Sequence, residues 1–264
     1  MARIFDLHND LPTANVAAEK FDKKSKIVHV FWTTKLTGPI SFVMNYLVKA
    51  KQDARIFYAI EDLHFIKCVD VLKKLCVLPF LYMGLTWNED NRLAGGCYGE
   101  KGLTTLGLSV IKVLNEKNVA VDTAHLNKKS FDEVLEHSNK VLCSHTCLDS
   151  IFSHKRNLTD KQITDLIAKG GVVGIATAKE FFGEKYKYNR IDYLMQIDTF
   201  AQKFGVNNLC IGTDFHGTAP LDGLKKYKDF DLLQNDLIKL GYTSEQIGKI
   251  FFSNADGFFN PPAP

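Results

Sequence analysis

Arg3-Ile4-Phe5-Asp6-Leu7-His8-Asn9-Asp10-Leu11-Pro12 is a short apolar run that ends in His-x-Asp and is closed by a proline. In an extended strand alternate side chains point the same way, so Asp6, His8 and Asp10 share one face. One imidazole and one carboxylate on that face make half of a divalent-metal site. A hydrogen-bonded structural pair would look the same in this stretch alone. The difference lies in whether the design recurs along the chain.

It recurs seven times. Apolar, β-branched runs ending in polar residues occupy positions 27–32, 54–60, 77–85, 119–125, 140–145, 172–177 and 209–214. Helical spacing of apolar residues follows most of them, over 39–51, 106–115, the segment after Ser130, 163–169, 191–204, 229–240 and 244–252. Ser130 with Glu133, and Thr159 with Gln162, have the spacing of capping boxes, and Gly170-Gly171 ends a helix. Eight strand-like runs alternating with helices predict an α/β chain folded as a (β/α)8 TIM-type barrel. Residues 1–264 would form one catalytic domain, with a frayed tail at about 260–264. A doubly wound open sheet is the alternative. It usually has fewer strands, and no Gly-x-Gly-x-x-Gly follows the first run.

Composition narrows the function. With 45% hydrophobic and 24% charged residues, the chain can bury a large core. The net charge of +3 comes with no basic stripe interleaved with aromatics, so nucleic acid is not the expected partner. Lysines at 20–26 and 185–187 read as solvated surface. No secretory apolar region follows Met1, and no apolar run reaches the roughly 20 residues of a membrane span. A cytoplasmic protein without a membrane partner is expected. The six cysteines (68, 76, 97, 143, 147 and 210) lie within or beside apolar runs and read as buried free thiols.

His8, Asp10, Glu61, His125, His145 and Asp214 all stand at or near the C-terminal ends of their runs, the barrel face where active sites are built. Buried acids are costly unless paired or metal-bound, and a half-acidic cluster repels itself without cations. The set suits two zinc-like ions, with Glu61 as a carboxylate bridge and one or two histidines on each. His125 or His145 alone would read as structural. Cys143, His145 and Cys147 could form a separate thiolate site, but lack the second ligand cluster such sites use. His29, His64, His137, His154 and His216 have no such company and read as structural or surface residues. Asp6 is placed to accept from the other ring nitrogen of His8.

Taken together, these pieces resemble the membrane (renal) dipeptidase family of metallopeptidases. The resemblance runs in order through Asp-Leu-His-Asn-Asp-Leu-Pro at 6–12, Ala-Ile-Glu at 59–61, and Leu-Thr-Trp-Asn from 85 with Asn91-x-x-Ala-Gly-Gly behind it. It continues in Val-Asp-Thr-Ala-His-Leu-Asn at 121–127, Ser-His-Thr at 144–146, Arg156-Asn157 and Ile-Gly-Thr-Asp-Phe-His-Gly at 211–217. The resemblance implies a (β/α)8 barrel holding two divalent ions, most simply Zn2+, that hydrolyses the peptide bond of dipeptides, often with a D-residue on the C-terminal side. His8 and Asp10 would ligate one ion, Glu61 would bridge, and His125 and His145 would ligate the other. Asp214 would handle the proton and, with Glu61, carry catalysis; Arg156 would grip the substrate carboxylate, with Trp87 and Asn88 beside it. The partner implied is a small dipeptide, and a homodimer is one possible assembly.

Three features depart from the pattern. Trp87 stands where the best-studied members place a histidine that contacts substrate. His216 replaces the second acid of Gly-x-Asp-Phe-Asp-Gly. The signal peptide and lipid-anchor signal of the animal enzymes are not expected here. Two other functions stay open at this level: a different barrel hydrolase acting on cyclic amides, lactones or phosphoesters, and a catalytically inactive metal-binding relative.

Overall fold

Eight parallel strands pair in sequence order, and the last pairs with the first, which closes the barrel. The computed structural model describes residues 1–14, 16, 20–50, 53–183 and 187–260. The strands are β1 (Phe5–Asn9), β2 (Lys26–Trp32), β3 (Ile56–Glu61), β4 (Phe80–Gly84), β5 (Ala120–Asp122), β6 (Val141–Thr146), β7 (Val173–Ile175) and β8 (Leu209–Ile211). The (β/α)8 barrel is therefore the fold, and the open-sheet alternative falls. Among the described residues no helix is long and apolar enough to cross a membrane.

The strand alternation read from the sequence sorts the core into two layers. Phe5, Leu7, Val28, Val30, Tyr82 and Leu142 fill the barrel interior. Their neighbours Ile4, Ile27, Phe31, Ile60 and Met83 face outward. There they meet the helices α2 (Pro39–Lys49), α3 (Val69–Leu75), α4 (Thr105–Glu116), α5 (Lys128–His137), α6 (Asp160–Ala168), α7 (Arg190–Phe204) and α8 (Phe230–Lys239). A four-residue α1 (Leu11–Ala14) follows β1. The chain ends in α9 (Ser244–Gly248), a π-helical turn over Lys249–Ser253 and α10 (Asn254–Phe259). Phe252 and Phe259 from this end each lie 5.9 Å from Phe5, at the start of β1, and close the N-terminal end of the barrel.

Several local expectations change. The sequence pattern shows no helix between β3 and β4, yet α3 stands there. Its N-cap position is Cys68, whose side chain makes no capping bond, so the usual start signal is missing. β4 accordingly begins at Phe80 rather than 77. Thr159 and Gln162 form the capping box as read. Ser130 and Glu133 do not: Asn127 caps α5 by accepting from the Ser130 amide. Ser130 Oγ instead accepts from Gly95 and donates to Lys101, while Glu133 accepts from Leu103, so both side chains pin the long loop after β4. All six cysteines are free, but Cys68 is exposed and Cys76 half-buried. The tail at 261–264 lies outside the described residues.

Candidate active site

Five of the eight strands, β1, β3, β5, β6 and β8, carry the six candidate site residues at or just beyond their C-terminal ends. Two of these residues, His125 and Asp214, have left-handed backbones, with φ of 68° and 60°. This conformation is unfavourable for non-glycine residues and collects where the surrounding fold enforces it, often at functional sites. Beyond the strand ends, Asp214 N donates to His8 O and Asp10 N donates to Phe215 O, which draws the β1 and β8 ends together. Gly217 packs against this junction. A Cβ there would come within 2.3 Å of Asp10 Oδ2 and 2.4 Å of Asp214 Oδ1, so only glycine leaves room for both carboxylates.

All six strand-end residues meet, and all are buried. Glu61 Oε1 is central: His125 Nε2 lies 2.6 Å away, His145 Nε2 3.7 Å and His8 Nε2 3.8 Å. His8 Nε2 is 3.3 Å from Asp10 Oδ2. Two sets have ligand atoms all within 4.8 Å of one another: His8, Glu61 and His145, and His8, Asp10 and Asp214. His8 is common to both, and Asp214 falls in with Asp10.

This donor set fits divalent metal. His8 Nε2 and Asp10 Oδ1 are buried with no hydrogen-bond partner, although both lie in the cluster. Imidazole and carboxylate donors together suit zinc-like ions. Burial alone would depress the His8 pKa, but Asp10, Glu61 and Asp214 around it lift it to about 10: the carboxylates demand positive charge. Burial, with Arg156 nearby, lowers His125 to about 4, and burial with His8 and Arg156 holds His145 well below its usual range. Both are thus neutral near pH 7, the form that ligates metal. Burial pushes the Asp214 carboxyl well above the ordinary range against the pull of His8, and Asp10 and Glu61 add to the rise.

The groups that orient these ligands were only partly legible. Asp6 does not reach the His8 ring. It accepts from Thr213 N at 2.8 Å, Thr213 Oγ1 at 2.7 Å and Tyr227 OH at 2.7 Å, and so ties β1 to the segment carrying Asp214. Ser144 takes the role expected of Asp6. Its hydroxyl donates to Asp122 Oδ2 at 2.5 Å and stands 3.1 Å from His8 Nδ1 and 2.8 Å from His145 Nδ1. With its proton committed to Asp122, Ser144 Oγ can only accept from both rings, which turns both Nε2 atoms toward Glu61. Tyr82 OH lies 3.2 Å from His8 Nδ1. Asn88 Oδ1 is 2.7 Å from His125 Nδ1 and orients that ring in the same way.

The site opens into a cavity of about 40 Å³ with Trp32, Trp87, Arg156 and Phe181 in its walls. Trp87 packs on Trp32 at 5.3 Å and on His125 at 6.1 Å between ring centroids. Arg156 is 5% exposed; its guanidinium lies 5.1 Å from the Phe181 ring centroid and donates to His145 Nε2 at 2.7 Å. The protein's other arginine ion pairs use Arg55 with Asp53 and Arg190 with Asp236. Among the described residues no carboxylate lies within ion-pair distance of Arg156.

Known proteins resemble this chain in sequence and in fold. An uncharacterised protein from the pqqA 5' region of Klebsiella pneumoniae is 28% identical over 191 residues, covering 65% of this chain and 68% of its own length. Dipeptidase verJ of Clonostachys rogersoniana is 29% identical over 199 residues, covering 71% of this chain; the match spans 50% of that dipeptidase. In fold, the chain is similar to a metallopeptidase from Rhodobacter sphaeroides, whose structure holds a phosphinate mimic of the dipeptide L-Ala-D-Ala. The TM-score is 0.86 at 17% identity, covering 98% of each chain. A sequence model of the membrane dipeptidase family, peptidase family M19, matches residues 44–256, and the chain belongs to that family.

Proposed function

We propose that this protein is a metal-dependent dipeptidase, using two zinc ions to hydrolyse the peptide bond of dipeptides, L,D-dipeptides included. Arg156 carries the argument. A buried guanidinium that makes no direct ion pair among the described residues, standing beside a ligand cluster in a small cavity, is placed to receive an anionic substrate group. The forked geometry of arginine matches a carboxylate, so a free C-terminus completes the site. Hydrolysis of a cyclic amide, lactone or phosphoester does not require a carboxylate anchor, whereas selection of dipeptides does.

His8, Asp10, Glu61, His125 and His145 would hold the ions. Bound there, divalent ions supply Lewis acidity, which lowers the pKa of water and polarises a carbonyl. The chain's own groups do the rest. Asp214 accepts the proton of the attacking water and delivers it to the leaving nitrogen, from its place beside His8 and Asp10. Arg156 holds the terminal carboxylate with Phe181 behind it. Trp32 and Trp87 wall the cavity and limit water. Asn88 and Ser144 keep the imidazoles aimed.

The test is hydrolysis of a panel of L,L- and L,D-dipeptides by the purified protein, with zinc and with a chelator. Zinc-dependent release of free amino acids is expected, with C-terminal amides of the same dipeptides untouched. A protein that carries two metals and cleaves none of the free dipeptides overturns the proposal.

A further inference from the structure

The catalytic cavity is small, at about 40 Å³. A second cavity of about 340 Å³ adjoins it, and His125 and Arg156 stand in the walls of both. If Arg156 takes the terminal carboxylate, the side chain of that same residue lies at the mouth of this second space. Its walls carry Lys128, His154, Lys155 and Arg156 against one acid, Asp149, which already accepts from the His154 amide. Lys128 is the first residue of the ten-residue helix α5, so the positive end of that helix adds to the same field. Among the described residues neither Lys128 nor Lys155 is within ion-pair distance of a carboxylate; Lys155 Nζ lies 5.3 Å from the Tyr98 ring centroid. The remaining wall mixes Thr123, Asn127, Thr159 and Gln162 with Ala124, Leu126 and Leu158, so the feature that singles out one kind of side chain is the excess of positive charge.

Resting on the dipeptidase reading, we propose that the preferred substrates are dipeptides whose C-terminal residue bears an acidic side chain. That carboxylate is received by Lys128 and Lys155 in the second cavity. The selectivity is electrostatic: Lys128 and Lys155 are exposed, so it acts on binding and shrinks as salt screens them.

The experiment compares Ala-Glu with the isosteric Ala-Gln, each with the L- and the D-form of the second residue, at low and at high salt. The expected result is a kcat/KM about three- to tenfold higher for Ala-Glu, the worth of two exposed charge pairs, expressed in KM and reduced by salt. In a Lys128→Gln, Lys155→Gln double variant the Glu-to-Gln ratio should fall to about one. A Lys128→Glu, Lys155→Glu variant should turn the preference toward Ala-Lys. Equal handling of Ala-Glu and Ala-Gln by the unmodified protein overturns this inference and leaves the dipeptidase reading standing. So does a preference that survives both lysine substitutions. Failure to cleave any dipeptide overturns the dipeptidase reading, and this inference with it.

Discussion

The two ends of the barrel are built on opposite terms. At the N-terminal end Phe5 stacks on Phe57 at 5.7 Å and meets Phe252 and Phe259, while Arg3 lies 3.4 Å from the Phe252 ring centroid. Among the described residues, the left-handed non-glycine residue there is Asn118, a type that tolerates that conformation. At the C-terminal end Asp62, His125, Asp214 and His216 are all left-handed; the first three are buried and His216 is half-buried. Each such backbone costs on the order of 1–3 kcal/mol. One end gathers apolar contact that stabilises the fold; the other spends stability to hold charged groups together. Activity and stability should therefore separate by position along the barrel axis.

The sharpest way to break that separation is at Asp214. Asp214→Asn keeps the shape of the side chain and a residue that accepts φ of 60°, but removes the proton acceptor. Turnover of dipeptides should drop by about 10²–10⁴-fold, the usual worth of general acid–base catalysis. Metal stoichiometry and Tm should barely move. Loss of metal together with activity would make Asp214 a ligand first, as its place beside His8 and Asp10 allows. The mirror experiment is Phe252→Ala at the closed end. Truncating this buried ring should cost about 3–5 kcal/mol of stability. kcat for the molecules still folded should match that of the parent, measured below the lowered Tm. A matching loss in kcat would show that the two ends are coupled.

The pattern that was legible in the sequence follows the same division. The strand interiors could be read because the inward and outward layers alternate with period two. The ligands could be read because a buried His or acid after an apolar run has few cheap explanations. The left-handed turns at His125 and Asp214 have no local signal, since the tertiary bonds around them enforce the conformation. Ser130 and Glu133 look like a cap because the spacing fits; a loop from β4 claimed both side chains instead. α3 lacks a capping side chain and so left no start signal. The second cavity is assembled from the loops after β4, β5 and β6, which no single window of sequence contains.

Ser144 shows why the orienting groups were hardest to see, and it offers the smallest and most specific test. Its partners come from four strands: Asp122 on β5, His8 on β1 and His145 beside it on β6, with Tyr82 of β4 on the same His8 nitrogen. A serine before a histidine is unremarkable as sequence; only barrel closure gives it two imidazoles to hold. Ser144→Ala removes that shared acceptor but leaves Asp122 the backbone amides of Ala124 and residue 144. The fold should survive with little change in Tm, while both rings lose the bond that keeps Nε2 turned toward Glu61. Zinc affinity, measured by competition with a chromogenic chelator, should fall about 10–100-fold, as when other groups behind metal ligands are removed. Saturating zinc should then recover most of kcat, because the ligands remain and only their aim has loosened. Unchanged affinity would mean that the close packing of β6 against Gly174 and Gly212, whose Cβ positions would lie 2.1 Å and 1.9 Å from Ser144 O, aims the rings without the hydroxyl. In that case the orienting force at the open end would be the same as at the closed end: steric fit rather than hydrogen bonding.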